Sequence, residues 1–352
     1  VTGSVGKTTT REALRRVLAA RFKVHSADRS LNTRIGCAAT VLTMPVDADV
    51  LLLEFGANKA GEIAELTELF PPTTAVVTQV APAHLAGFLS VEGVLRAKME
   101  IARSLRLRRF LYNFDNLLLR EAAGNLKRHP VVSVGMEQGS DFRIEAPCFA
   151  LEGVLPALSF RLRWGGEEVR IRAGVWGEHL ALPLALAAAA GRLLGIPLKE
   201  GALALEGFLG LEGRGRVLPA SGRRAFVVDD AYNANPLSMR SSLETFGSLP
   251  VEGRRMAVLG EMREMGPDAV RYHQELEPLL DGLDEVVLVG ELWSRALEGL
   301  EKKPNRRFVG GWKEALEIVE AAEWAAVLVK GSNSLDLGKV VKALTDKAEA
   351  LS

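Results

Sequence analysis

Short apolar runs alternating with amphipathic segments constrain this chain more than any other feature. Residues 50–55 read Val-Leu-Leu-Leu-Glu-Phe and residues 75–80 read Ala-Val-Val-Thr-Gln-Val, the second preceded by the breaker Pro71-Pro72. Runs this short and apolar suit strands buried on both faces of a parallel sheet. Around them lie helical patterns. Residues 8–22 place Ala13, Leu14, Val17 and Leu18 on one face, and residues 91–105 form a second amphipathic segment. Residues 109–112 and 131–134 read as further strands. The order predicts a doubly wound α/β fold with a mostly parallel sheet.

The stretch 158–172 breaks that rhythm. Two alternating runs, 158–164 and 168–172, flank Gly165-Gly166, which predicts a hairpin forming an antiparallel edge to the first domain. An Ala/Leu-rich helix over 179–194 follows, then a linker-like segment, 207–215, with glycines at 207, 210, 213 and 215. A second series of strands (225–228, 255–259, 286–289, 325–329) alternates with helices centred on Leu243, Leu276, Leu297, Leu316 and Leu344. The reading is therefore two domains in 352 residues: 1–212, and a Rossmann-like domain over 213–352.

Composition excludes several functions. Lys+Arg and Asp+Glu are both 44, and a chain without a basic surplus is a poor general nucleic-acid binder. Two cysteines, Cys37 and Cys148, rule out a disulfide scaffold or a multi-cysteine zinc module and fit a reducing compartment. The richest apolar stretch, 180–195, is interrupted by Pro183, Gly191 and Arg192, so no membrane span is expected. With no signal peptide recognised, a soluble cytoplasmic protein is the expectation.

Nucleotide chemistry stands at the very start, in Gly3-Ser4-Val5-Gly6-Lys7-Thr8-Thr9. Glycines let a backbone wrap so that its N–H groups face phosphate oxygens, and the helix that follows points its positive end at the same charge. Lys7 would neutralise the β/γ-phosphates and the Thr8 hydroxyl would reach Mg²⁺. Val1 and Thr2 are all that is present of the strand such a loop normally follows. Glu54 ends an apolar strand, at the edge where α/β sheets place their ligands; it could hold Mg²⁺ or simply cap or pair. His84 follows the strand at 75–80, and a lone His is more often structural. Lys98 sits on or beside the apolar face of its helix, where a lysine ordinarily snorkels.

Taken together, these pieces resemble the Mur ligase family. The motifs run in family order: Thr2 to Thr8; Glu54-Phe55-Gly56-Ala57-Asn58; Ala83-His84-Leu85; Ala97-Lys98; Asp229-Asp230-Ala231-Tyr232-Asn233-Ala234-Asn235-Pro236; and Lys330-Gly331-Ser332-Asn333-Ser334. The resemblance implies a central ATP-binding domain and a C-terminal domain. It implies an ATP-dependent amide ligase of peptidoglycan precursor synthesis, which adds D-Ala-D-Ala to a UDP-MurNAc-peptide through an acyl-phosphate. Lys7, Glu54, His84 and Lys98 then stand at catalytic positions. Gly3, Ser4, Val5, Gly6, Lys7, Thr8 and Thr9, with Arg214, Asp230, Tyr232 and Asn233 from the far domain, stand at nucleotide positions. Thr8, Glu54, His84 and a carbamylated Lys98 stand at Mg²⁺ positions. The expected partners are these small molecules, with no nucleic acid and no membrane insertion, and the protein a monomer completed by domain closure.

Departures from the family pattern cluster at substrate positions. No segment is expected to supply the family's N-terminal UDP-sugar domain. Ser30, Thr33 and Ala38 stand where Asn, Asn and Pro are usual, Leu180 and Pro183 where two asparagines are usual, and Gln79 for a common Asn. Two alternatives stay open: another ligase of the superfamily with a different acid or amine, and a non-catalytic, truncated nucleotide-binding homologue.

Overall fold

The computed structural model describes residues 1–28, 30–83, 85–152, 155–301 and 303–346. Two compact units partition the chain. One comprises Val1–Cys148, Ser159–Ala173 and His179–Phe208; the other comprises Phe149–Leu158, Gly174–Glu178 and Leu209–Ser352.

In chain order the first sheet region contains α1 (Lys7–Ala19), β1 (Val24–Ser26), α2 (Arg34–Leu42), β2 (Val50–Leu52), α3 (Glu62–Leu69), β3 (Thr74–Val77), α4 (Leu85–Phe88), α5 (Val91–Met99), β4 (Arg109–Asn113), α6 (Leu117–Gly124), β5 (Val131–Gly135), β6 (Phe142–Glu152), β7 (Leu155–Trp164), β8 (Glu167–Ala173), α7 (Ala181–Leu193) and α8 (Leu198–Glu206). The strands order as β3-β4-β5-β6-β7-β8, with β1-β2 as a separate parallel pair. Pairing is parallel from β3 to β6. Residues 1 and 2 fill the gap: Val1 O accepts from Phe55 N at 2.8 Å, Thr2 N donates to Val76 O at 2.9 Å, and Thr2 O accepts from Thr78 N at 2.9 Å. They occupy a strand's place between the end of β2 and β3. The expected hairpin is β7–β8, turned by Gly165 and Gly166 at φ +52° and +88°. Two consecutive residues of positive φ match a turn that twists with its strands.

The apolar face foreseen for the first helix does the expected packing. Ala13, Leu14, Val17 and Leu18 are buried, and α1 lies along α7. At their closest approach Gly191 leaves no room: a Cβ there would stand 2.3 Å from Val17 Cγ1. On another side of the sheet, Ala75, Val77, Phe110 and Tyr112 pack with Ile63, Val94, Ala97 and Ile101. The helix expected over 91–105 is shorter. It ends as α5 at Met99 and tightens into a 3₁₀ turn, Glu100–Arg103, where the Glu100 carboxylate leaves its own helix to accept from Gly61 N (3.0 Å) and Ala64 N (2.9 Å) at the start of α3.

The second unit holds β9 (Arg216–Pro219), β10 (Phe226–Asp230), α9 (Pro236–Gly247), β11 (Arg255–Gly260), α10 (Ala269–Gln274), β12 (Glu285–Val289), α11 (Glu291–Ala296), β13 (Arg306–Val309), α12 (Trp312–Ala321), β14 (Ala326–Lys330) and α13 (Gly338–Thr345). Strand order is β13-β12-β11-β14-β10-β9, parallel except for the edge strand β9. Alternate residues of β10 feed two cores. Phe226 and Val228 join Met239, Phe246 and Trp293, while Val227 joins Val258, Val329 and Val340. The helix expected around Leu276 is instead α10 followed by a 3₁₀ turn, Glu277–Gly282. Pro278 lacks the N–H that a continuous helix requires there. β1, β6, β9 and β13, which carry polar residues, were not among the expected strands.

Candidate active site

The phosphate loop is held open by contacts to the strand beside it. Gly3 has φ +149°, and a Cβ on it would come within 2.1 Å of Thr78 Oγ1, so only glycine fits. Ser4 N donates to Gln79 O at 2.7 Å, and Ser4 Oγ exchanges hydrogen bonds with Ala81 O and N, each at 3.1 Å. Thr78 Oγ1 donates to Val5 O at 2.5 Å. Gly6 at φ +83° is the N-cap of α1 and offers no side chain to cap it. The start of α1 thus presents its backbone N–H end to the loop, the arrangement that binds phosphate. Lys7 Nζ donates to Gly3 O at 2.8 Å, which places its ammonium across the mouth of the loop. Thr8 and Thr9 are buried in the first turn of α1.

Two residues of one segment join the loop to the acid at the strand end. Ser30 Oγ lies 3.1 Å from Thr8 Oγ1, and Asn32 Nδ2 donates to Glu54 Oε1 at 3.0 Å. Glu54 is buried. Thr8, Ser30 and Glu54 thus offer hydroxyl and carboxylate oxygens, the hard donors Mg²⁺ takes. Among the described residues no three His, Cys, Asp or Glu side chains gather to hold a metal ion by themselves. His84, the remaining expected metal position, lies outside the described residues.

Lys98 is 2% exposed and lines a cleft of about 660 Å³ together with Gly3, Ser4, Lys7, Asn32 and Phe88. Its Nζ stands 5.4 Å from the Phe88 ring centroid. Burial, reinforced by the nearby Lys7 charge, pushes it down to about 7. Glu100 does not pair with it, since both its carboxylate oxygens serve the start of α3.

Within the second unit the expected residues form another group. The Arg214 guanidinium stacks 4.1 Å from the Tyr232 ring centroid. Gly213 at φ +69° lets the loop pass so close to Tyr232 that a Cβ would meet its Cβ at 2.7 Å. Asp230 Oδ2 accepts from Lys330 Nζ at 2.7 Å and from Ser242 Oγ at 2.8 Å, and Lys330 also donates to Asn233 O at 3.1 Å. Asp229, whose carboxyl burial lifts to about 6, accepts from Gly213 N at 2.6 Å. Lys330, Asp229 and Ser242 were not among the expected site residues. For Lys330 a signal existed, as the lysine closing an otherwise apolar strand.

A wrapped phosphate loop at the carboxyl end of a parallel sheet, facing a buried lysine across a cleft, defines a nucleotide-binding α/β protein. Two family models match: Mur ligase middle domain over residues 1–191, and Mur ligase, glutamate ligase domain over residues 213–333. The chain belongs to the Mur ligase family. It is 30% identical to the UDP-N-acetylmuramoyl-tripeptide–D-alanyl-D-alanine ligase of Bacillus subtilis, covering 98% of this chain and 75% of the relative. It is 32% identical to the enzyme of that name from Mycobacterium tuberculosis, covering 98% and 72%. Among solved structures it is similar to MurF from Acinetobacter baumannii (TM-score 0.87, 27% identity, 99% of this chain and 75% of that one). It is also similar to MurF ligase from Thermotoga maritima in complex with ADP (TM-score 0.86, 25% identity, 100% and 80%).

Proposed function

We propose that this chain is an ATP-dependent amide ligase of peptidoglycan precursor synthesis, joining D-alanyl-D-alanine to a UDP-N-acetylmuramoyl-tripeptide. The observation that carries the reading is the phosphate loop and the near-neutral Lys98 on one cleft, in a chain related along nearly its whole length to ligases of that name. Residues 1–212 serve as the ATP-binding domain and 213–352 as the C-terminal domain, working as a single chain in the cytoplasm, where ATP and the UDP-linked substrate are found. No helix of the described residues is long and apolar enough to cross a membrane.

A substrate carboxylate oxygen attacks the γ-phosphorus of ATP and ADP leaves. The amine nitrogen of the dipeptide then attacks the acyl-phosphate carbon, loses a proton, and inorganic phosphate departs. Such transfer needs positioning and charge neutralisation more than covalent help from the protein. The loop N–H groups and Lys7 hold the phosphates; Arg214, Asp230, Tyr232 and Asn233 serve the nucleotide from the C-terminal domain. Thr8 and Glu54 would hold one Mg²⁺, and His84 with a carbamylated Lys98 a second, the ions supplying charge neutralisation. Carbamylation needs a neutral amine: the Lys98 nitrogen bonds the carbon of CO₂ and loses a proton, leaving an anionic oxygen ligand. The lowered pKa of Lys98 supports that state.

The test is ligation itself. With UDP-MurNAc-tripeptide, ATP and Mg²⁺, the protein should release ADP over many turnovers only when D-Ala-D-Ala is added, with the joined product seen by mass spectrometry. ADP release indifferent to the dipeptide would refute the reading. Nucleotide binding without any ligation would favour the non-catalytic homologue. Under ¹³CO₂, a carbamate carbon signal present in the wild type and missing in Lys98→Ala would support the modified lysine.

A further inference from the structure

The chain is electrically balanced, yet one end of its first sheet is not. Residues 101–114 hold Arg103, Arg106, Arg108 and Arg109 and no acidic residue; residues 122–136 hold Lys127 and Arg128 and none. The fold brings these segments together. Phe110 pairs with Val131 in the β4–β5 register, Phe110 N donates to Pro130 O at 3.0 Å, and a ring nitrogen of His129 lies 3.1 Å from Leu107 O. Arg103, Arg106, Arg108, Lys127 and Arg128 are exposed. Among the described residues none of the five is ion-paired to a carboxylate, including Glu68 and Glu121 on the neighbouring helices α3 and α6. At the centre of the arginine segment stands Leu105, 96% exposed.

This end is remote from the chemistry. Thr2, which leads into the phosphate loop, pairs with Val77 at the carboxyl end of β3. Arg109 pairs with Thr74 at the opposite, amino end of the same strand. The cations therefore have no role in holding ATP.

We infer that this end of the sheet, with Leu105 at its tip and the five exposed cations around it, is a docking surface for an anionic phospholipid bilayer. Exposed cations are attracted to a negative lipid surface, and an aliphatic side chain among them enters the headgroup boundary; the two signals together give reversible adsorption where either alone is weak. A nucleic acid fits the patch less well. Binding single strands relies on aromatic platforms for base stacking, and the exposed residues here include no aromatic ring. Adsorbed by this end, the protein keeps its phosphate-loop cleft turned toward water.

Sedimentation of the protein with sucrose-loaded vesicles tests the inference. Binding is expected to phosphatidylcholine vesicles that contain phosphatidylglycerol, to be absent with phosphatidylcholine alone, and to fall as salt rises. Each cation near the surface is worth roughly fivefold in partitioning, so the triple variant Arg106→Gln, Arg108→Gln, Lys127→Gln should bind roughly a hundredfold more weakly. Leu105→Ser should lose about tenfold. Both variants should keep wild-type ATP affinity, because neither touches the loop. Wild-type protein that ignores phosphatidylglycerol overturns the inference, and so does a triple variant that binds as the wild type does. Duplex DNA that displaces the protein from vesicles and binds Leu105→Ser undiminished would assign the patch to nucleic acid instead.

Discussion

Replacing Lys98 by methionine should change how stability depends on pH, in a direction the burial of that lysine dictates. The fold lowers its pKa from 10.5 to about 7. Between those values the unfolded chain carries the proton and the folded chain does not. Stability from this group is therefore lowest below pH 7 and rises as pH climbs toward 10.5. At about 1.4 kcal/mol per unit, the cost of holding the buried ammonium at low pH is about 5 kcal/mol. Methionine has a similar length and no charge to desolvate. The variant should be the more stable of the two near neutrality and should lose that advantage in alkaline buffer. Urea unfolding in CO₂-free buffer, read by hydrogen exchange at the amides of β3 to β5, follows the first unit alone. Parallel pH profiles for wild type and Lys98→Met would mean that the lysine titrates as if in water, and the argument for a neutral amine in the cleft would fail.

Other perturbations have equally definite outcomes. Gly3→Ala drives a methyl into Thr78 Oγ1 and to 3.0 Å from Gln79 N; it should abolish calorimetric ATP binding while costing about 1–3 kcal/mol of stability. Gly191→Ala should cost a similar amount, about 1–3 kcal/mol, by pushing α7 off Val17, and adding Val17→Ala should recover part of the loss in a double-mutant cycle of urea midpoints. Lys330→Met leaves the Asp230 carboxylate without its buried partner. Unfolding of the second unit should come about 3–5 kcal/mol easier, and restoring neutrality with Asp230→Asn in the same chain should return much of it.

How far the sequence carried depended on the distance over which each feature is encoded. The phosphate-loop motif is local, since Gly3, Gly6 and Lys7 fall within one turn of chain, whereas the contacts of Thr78, Gln79 and Ala81 that hold it open come from far along the sequence. The apolar helix face around Lys98 was legible, but a lysine there ordinarily snorkels, so its burial had to come from the resemblance and the fold; that its neighbour Glu100 would be drawn away to cap α3 was not legible, because Gly61 and Ala64 lie 36 and more residues earlier. The same holds for Asn32 on Glu54 and Ser30 on Thr8, contacts made by a segment with no periodic signal. In the second unit the buried strands β10, β11, β12 and β14 announce themselves by continuous apolar runs. β13, with Arg306 and Arg307, and β9, with Arg216, do not, since edge strands need bury only one side. Pro278 marked the break near Leu276 plainly enough, yet the apolar residues around it suggested an unbroken helix.

Strand order in the second unit sets a schedule for its own making. β14 is the last strand of that sheet to leave the ribosome, and its place is in the middle, hydrogen-bonded to β11 on one side and β10 on the other. Until residues 326–330 arrive, two apolar strands wait with open edges, each a template for pairing with another chain. The partnership of Asp230 with Lys330 spans 100 residues and cannot form earlier. Such late, non-local closure is slow. A nascent chain stalled before Ala326 would hold two half-sheets and no second domain, which makes the closing stretch the natural point at which a chaperone's protection matters most.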